Sequence, residues 1–131
     1  MRRSLQSSAR GLHGGRLGGG GSPRRLTRGE IWPYRFRTPD KRRPVVALTR
    51  ADVIDLLRDV MVAPVSSTIH GLPSEVVIGV REGMKHSSAI NLDRVQTIEK
   101  ARLERYVGRL GPAKQREVCR ALAVATGCSD A

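Results

Sequence analysis

Short apolar runs separated by polar, glycine and proline positions dominate this 131-residue chain and predict β-strands. The predicted strands cover residues 29–36, 44–49, 60–65, 75–80, 88–92, 95–98 and 106–110. Between the first two strands, Pro39 and Asp40 supply the chemistry of a tight turn. The run at 44–49 is apolar at almost every position, which is typical of a strand buried on both sides.

Helical patterns are fewer. Residues 50–57 are predicted as a short helix with Val53, Ile54 and Leu57 on one face, and 99–103 as a single turn. The last helix is predicted to begin at Pro112 and to end before Gly127, the residue types preferred at those two positions. The fold class is therefore predicted as α+β, mainly β: a small, partly open antiparallel barrel with short helices and a C-terminal helix.

The first 27 residues differ in composition from the rest, because they are rich in Gly, Arg and Ser and contain an unbroken glycine run at 18–21. Such a segment cannot bury a core, so residues 1–27 are predicted as a disordered basic extension and 28–128 as the folded domain. An RNA-binding arm, a transit peptide and a plain unstructured extension remain open, although the glycine run would break the helix of a transit peptide.

Charge is strongly positive, at +12 from 24 basic and 12 acidic residues. Seven of the basic residues and no acid lie in 1–28, so the remainder is only moderately basic. This surface either attracts a polyanion such as nucleic acid or only aids solubility. The two cysteines have no disulfide or metal-ligand spacing, which indicates a reducing, cytoplasmic setting without a metal. No apolar run is long enough to predict a membrane span.

Polar residues at predicted strand ends are the candidates for chemistry. Arg43 stands directly before the apolar strand 44–49 with no acid beside it, and an unpaired guanidinium suits a phosphate because its donors match two oxygens at once. Ser66 and the residues after it follow the strand 60–65, and Asp93 follows the strand 88–92. Taken singly, such serines usually form turns and such aspartates usually cap turns or form surface ion pairs.

Together these side chains would suffice to cleave RNA without a metal, since the ribose 2′-OH is an internal nucleophile. The enzyme must hold the phosphate in line, move two protons and stabilise the added negative charge. Arg43 could stabilise that charge. The Ser66 hydroxyl could bind a non-bridging oxygen or orient the 2′-OH. Asp93 could act as the base or as an orienting acceptor.

An ordered set of short motifs resembles the MazF/PemK family of toxins. The motifs are R-G-E-I-W at 28–32, R-P-V-V at 43–46, A-P-V-S-S-T at 63–68, N-L-D-R-V-Q-T-I at 91–98 and G-R-L at 108–110. The resemblance covers residues 28–127. The arginine bias and the ending A-V-A-T-G-C at 123–128 are most similar to the actinobacterial branch.

The resemblance implies an SH3-like barrel of the CcdB/PemK type that acts as a homodimer. It implies the toxin of a type II toxin–antitoxin system, a sequence-selective endoribonuclease that cleaves single-stranded RNA by 2′-OH attack with no metal or cofactor. The expected partners are RNA and a MazE-like antitoxin, whose acidic C-terminal tail would cover the RNA groove near Arg43. The expected location is the cytoplasm.

The resemblance also assigns residues. The family's motif arginine falls on Arg43, and its essential hydroxyl, usually threonine, falls on Ser66. One branch uses an arginine and an aspartate as acid and base, and these positions match Asn91 and Asp93. Asparagine is no useful proton donor, so that pair is not intact. Catalytic roles are expected for Arg43, Ser66 and Asp93, and RNA contacts for Lys41, Arg42, Ser67, Thr68, His70 and Asn91.

Two other functions stay open at this stage. One is a CcdB-like toxin directed at DNA gyrase, although the chain lacks the tryptophan that such toxins carry near the C-terminus. The other is a catalytically inactive barrel that binds RNA or the antitoxin. Trp32, the single tryptophan, is expected either to pack in the barrel or a dimer interface, or to stack on a base.

Overall fold

The computed structural model describes residues 25–36 and 42–128, which form one curled antiparallel sheet and one helix. The strands are β1 (Glu30–Arg35), β2 (Arg42–Ala47), β3 (Asp59–Ser66), β4 (Glu75–Ile78), β5 (Ser88–Asn91), β6 (Gln96–Glu99) and β7 (Gly108–Arg109), and the helix is α1 (Pro112–Thr126). Short 3-10 turns cover Val80–Glu82, Leu92–Arg94 and Lys100–Arg102. The strand order is β4-β5-β3-β2-β1-β7, with β6 also paired to β3. The predicted mainly β, antiparallel fold with a C-terminal helix is confirmed.

Strand β3 holds the sheet together because it is eight residues long and pairs with three neighbours. Its residues 59–62 pair with β6, 62–64 with β2 and 65–66 with β5. Two successive strands thus share one of its edges, and the sheet curls at the change from β6 to β5.

Side chains alternate between two buried faces of the sheet, as the pleat requires. We call them the helix face, which α1 covers through Val118 and Ala121, and the loop face, which Ile54 and Leu103 help to cover. The helix-face core consists of Ile31, Val46, Leu48, Ala63, Val65, Val76, Ile78, Ile90, Leu92, Leu110, Val118 and Ala121. The loop-face core consists of Leu26, Trp32, Tyr34, Val45, Ala47, Ile54, Val60, Val62 and Ile98.

The ends of α1 follow from its sequence. Pro112 occupies the first turn, where its missing N–H has no helical partner to lose. Gly127 ends the helix in the left-handed region at φ 76°, and the Cys128 N–H donates to the Ala123 carbonyl. Both boundaries agree with the prediction. Within the described residues, no helix has the length and apolar character needed to cross a bilayer.

The helix predicted at 50–57 is wrong. Residues 51–56 form turns in which only the Ile54 N–H makes the i→i−4 bond of an α-helix, to Arg50. The Lys100 ammonium donates to the carbonyls of Ile54 and Asp55, at 3.0 Å each, so a distant side chain holds this segment in its turns. Strand β3 begins at Asp59, two residues after the predicted end of the helix.

Other boundaries differ by a few residues. The strand predicted to reach residue 80 ends at Ile78, and the one predicted at 106–110 keeps only Gly108–Arg109. At the N-terminal side, Leu26 is 6% exposed and packs in the loop-face core, although the sequence placed it in the extension. Residues 1–24 of that predicted extension lie outside the described residues.

Candidate functional site

A row of side chains crosses five strands on the loop face and contains two predicted site residues. Tyr34 pairs with Arg43, and Ala89 pairs with both Ser66 and Val77. Continuing the β2–β3 register two residues beyond Val45 and Pro64 sets Arg43 level with Ser66. Residues directly opposite on antiparallel strands share a face, with Cβ atoms about 4.5–5.5 Å apart. We call Tyr34, Arg43, Ser66, Ala89 and Val77 the cross-strand row.

Arg43 is the free cation of this row. It is exposed and makes no ion pair within residues 25–36 and 42–128. Its neighbour Arg42 points to the opposite face because successive strand residues alternate, and its Nε lies 3.1 Å from the Glu104 carboxylate. The β2–β3 register, continued to the strand ends, therefore sets Arg43 on the same face as Ser66 and Arg42 on the other face, although both arginines were expected at the RNA site.

Ser66 is held in place by its own backbone. It ends β3, is half-buried, and its Oγ accepts the Thr68 N–H at 3.1 Å. The Thr68 N–H is thereby bound within a short turn and cannot extend the pairing of the strand. Because Oγ uses a lone pair to accept, its proton stays available for an oxygen of a ligand.

Replacing Ser66 tests this hydroxyl. We expect Ser66→Ala to lower the rate of RNA cleavage about 10- to 100-fold, since a hydrogen bond to a charged group is worth about 1.5–3 kcal/mol. Ser66→Thr keeps the hydroxyl and stiffens χ1, so it should match or exceed the parent rate. Initial rates at one mapped cleavage position would measure both. Ser87→Ala is the matched control, since Ser87 is exposed, is not an expected RNA contact, and its hydroxyl makes no hydrogen bond among the described residues.

The segment after Ser66 is folded around the Glu75 carboxylate, which the sequence did not single out. Glu75 Oε1 accepts the backbone N–H groups of His70 at 3.0 Å and Leu72 at 3.2 Å. Charge-assisted bonds of this kind are the stronger ones. Ser67, Thr68 and His70 are all exposed in this segment, so the structure places these three expected RNA contacts on the surface next to Ser66.

Asn91 and Asp93 stand at the end of β5. Asn91 pairs with Glu75, and its Oδ1 accepts the Asp93 N–H at 2.9 Å, which caps the turn Leu92–Arg94. Asp93 Oδ2 accepts the hydroxyl of buried Ser74 at 2.6 Å. Asp93 is exposed, and it lies beyond the strand and outside the cross-strand row. Its carboxylate thus ties the segment after Ser66 to the end of β5.

A pair of variants separates the two roles open to Asp93. If its free oxygen accepts the proton of the 2′-OH, Asp93→Asn should lower the cleavage rate about 100-fold or more, within the range for a general base. Ser74→Ala removes only the hydrogen bond that orients Asp93, and it should lower the cleavage rate about 10-fold or less. We expect this unequal result from single-turnover rates. Equal losses would show that Asp93 acts only by anchoring the segment.

One other sequence interpretation, the role of Trp32, is answered by burial. Trp32 is 6% exposed, and its Nε1 donates to Glu30 at 3.1 Å, so it packs in the core and offers no surface to a base. Among the described residues, no group of three or more His, Cys, Asp or Glu side chains could hold a metal ion. Lys41, an expected RNA contact, lies outside the described residues.

Comparison with known proteins shows the family of the chain. A family model described as PemK-like, MazF-like toxin of type II toxin-antitoxin system matches residues 27–126. The chain belongs to this toxin family. The match spans every strand of the sheet and α1, so the family resemblance stated from the short motifs is confirmed.

Relatives of this toxin include two proteins from the actinobacterium Mycobacterium tuberculosis. Probable endoribonuclease MazF5 is 43% identical over 103 residues, covering 78% of this chain and 94% of the relative. Probable endoribonuclease MazF2 is 35% identical over 104 residues, covering 79% and 100%. Among solved structures, the Mycobacterium tuberculosis toxin MazF-mt6 matches with a TM-score of 0.69 and 33% identity, over 75% of this chain and 96% of that one.

Similarity of fold alone extends further. An endoribonuclease from a mycobacterial species, solved in complex with its cognate antitoxin, gives a TM-score of 0.70 at 22% identity. It covers 79% of this chain and 97% of that one. The curled antiparallel barrel with a C-terminal helix is therefore the architecture of this toxin, as the sequence predicted.

Proposed function

We propose that this toxin is a metal-independent endoribonuclease that cleaves single-stranded RNA by attack of the ribose 2′-OH. The observation that carries the proposal is the position of Arg43, exposed, without an ion pair among the described residues and level with the Ser66 hydroxyl. The relatives named as probable endoribonucleases support cleavage of RNA as the activity.

The row supplies two of the functions that this reaction needs. The planar guanidinium of Arg43 binds two oxygens of the scissile phosphate and offsets the charge that grows as the fifth oxygen approaches. The Ser66 hydroxyl donates to one of the two non-bridging oxygens and holds the phosphate in line with the 2′-OH. Neither side chain has to gain or lose a proton in these roles.

Proton transfer falls to Asp93 in this proposal. Its Oδ2 is fixed by Ser74, whereas its Oδ1 makes no hydrogen bond among the described residues and can accept the 2′-OH proton. An orienting hydroxyl behind a general base is a common arrangement. Asn91 cannot give a proton to the leaving 5′ oxygen, which therefore takes its proton from water, but the Asn91 Nδ2 can donate a hydrogen bond to an RNA oxygen.

A single assay tests the proposed reaction. Purified toxin is incubated with a long RNA in EDTA, and the fragment ends are mapped and analysed chemically. We expect cuts at defined positions that carry a 2′,3′-cyclic phosphate and a 5′-OH. Loss of cutting in EDTA would refute metal independence, and 3′-OH ends would refute 2′-OH attack. Binding without cutting at any chelator concentration would leave only an RNA-binding barrel.

The exposed guanidinium of Arg43 also supports a proposal about the partners of this toxin. We propose that the toxin works in the cytoplasm as a homodimer and is inhibited by an antitoxin whose acidic tail places a carboxylate on Arg43. Solved relatives of the same fold include a complex with a cognate antitoxin. An acidic tail that folds on binding can imitate the phosphates of RNA.

Replacement of Arg43 should therefore also weaken the antitoxin. We expect Arg43→Ala to raise the Kd of the purified acidic antitoxin about 10-fold or more, since a lost charge-assisted contact typically costs about 1.5–3 kcal/mol. Calorimetry at one fixed salt concentration would measure it. Unchanged affinity in Arg43→Ala would show that the antitoxin and RNA use different sites.

A further inference from the structure

A second guanidinium lies at the end of the cross-strand row. The Arg102 guanidinium carbon is 5.2 Å from the centroid of the Tyr34 ring, within the range of a cation–π contact. Arg102 is exposed and makes no ion pair with any residue in the described ranges. A cation–π contact satisfies no N–H group with a hydrogen-bond acceptor, so the guanidinium can still donate to another molecule.

The turn that carries Arg102 is firmly attached to the fold. In Lys100–Arg102, the Lys100 N–H donates to the Arg58 carbonyl at 2.9 Å, and Nζ donates to Ile54 and Asp55. Leu103, the next residue, packs against the loop-face core. The backbone position of Arg102 is therefore set before any ligand arrives, so less conformational freedom is lost on binding.

Arg102 and Arg43 flank the same ring. Tyr34 pairs directly with Arg43 across β1 and β2, and Arg102 lies over the Tyr34 ring. The nearby acid Glu104 does not neutralise either of them, because it is paired with Arg42 from the other face. Cations that share Tyr34 as a neighbour repel each other, and an anion bound near both would relieve that repulsion.

We propose that Arg102 is a positioning residue that binds the internucleotide phosphate of RNA next to the phosphate held by Arg43. The inference rests on the proposed function and adds a second phosphate subsite to it. A phosphate contact of this kind aligns the strand without reading its sequence. It would hold the RNA along the row so that the scissile phosphate stays on Arg43 and Ser66.

Salt dependence of binding tests the subsite. The probe is a fluorescein-labelled, mixed-sequence 2′-O-methyl oligoribonucleotide, which lacks the 2′-OH and cannot be cleaved by this route. We expect Arg102→Gln to weaken binding about 5-fold and to reduce the slope of log K against log [NaCl] by about 0.7, the value for one phosphate contact with a single strand. In cleavage assays Arg102→Gln should raise KM and leave kcat close to the parent value.

Matched variants make the result decisive. Arg105→Gln removes an exposed arginine of the same connection that has no ring contact, and it should leave slope and KM unchanged. Arg102→Lys should restore the slope only in part, since an ammonium cannot match the fork of a guanidinium. Equal losses in Arg105→Gln and Arg102→Gln, or a fall in kcat without a change in KM, would overturn the subsite.

The same experiment distinguishes failure of the Arg102 subsite from failure of the proposed function. If Arg43→Gln reduces the slope and Arg102→Gln does not, the subsite is refuted and the RNA site at Arg43 stands. If the parent toxin does not bind the oligoribonucleotide at low salt, both proposals fall. Thermal unfolding of each variant should stay within a few degrees of the parent toxin, because all the replaced arginines are exposed.

Discussion

Arg43→Ala should reduce kcat/KM for RNA cleavage by about 100- to 1,000-fold, the usual cost of removing one donor that stabilises transition-state charge. The side chain is exposed and makes no ion pair among the described residues, so its loss should not disturb the fold. Initial rates at a mapped cut, measured with enzyme in excess, would give the effect on the chemical step. Thermal unfolding in parallel would confirm that the variant is folded.

The neighbouring arginine provides the control for this experiment. Arg42→Ala removes the same charge one residue away, but on the opposite face, where the side chain pairs with Glu104. We expect its rate to fall less than about 3-fold, since a surface ion pair contributes little. Arg43→Lys should keep only part of the activity because it loses the bidentate fork. Equal losses for Arg42→Ala and Arg43→Ala would contradict the assignment of Arg43.

Gly108→Ala should destabilise the fold by about 3 kcal/mol or more, at the upper end of the range for forced overpacking. A Cβ built on Gly108 would lie 1.9 Å from the Glu82 carbonyl oxygen and 3.0 Å from the Gly83 Cα. The neighbouring atoms are backbone, so no side chain can move aside to relieve the clash. Chemical denaturation would measure the loss in free energy of unfolding. Thermal denaturation should show a fall in Tm of more than about 10 °C for a domain of this size.

Another glycine separates this effect from the general cost of alanine. Gly111 stands before α1 at φ −78°, and a Cβ there would meet nothing within 4 Å. We expect Gly111→Ala to change the free energy of unfolding by less than about 1 kcal/mol. If Gly108→Ala were as stable as Gly111→Ala, the close approach of β7 to the turn Val80–Glu82 would be refuted.

Much of the fold could be predicted because each signal is local. Apolar runs at 44–49 and 60–65 agree with β2 and β3, and Pro112 and Gly127 mark the ends of α1. The helix expected at 50–57 is replaced by turns, and Lys100, which is distant along the chain, holds them through two carbonyls. A local pattern carries no information about such a tertiary contact.

The site was predicted in part for the same reason. Motif order alone was enough to single out Arg43 and Ser66, but it grouped Arg42 with them. Strand alternation and the Arg42–Glu104 contact separate the two arginines. Glu75 and Arg102 carried no sequence signal, because their roles depend on backbone groups and a ring that the chain brings to them from other elements.

The amino-acid sequence by itself determined the toxin family, the antiparallel class, the terminal helix and the two residues expected to act on phosphate. These depend on residue type and short spacing, which the chain carries without folding. Tertiary structure alone decided the cross-strand row, the side of the sheet that each arginine faces and the close approach of Gly108 to the turn Val80–Glu82. Those features depend on pairing register between distant strands, since a shift of one residue would send every side chain to the other face.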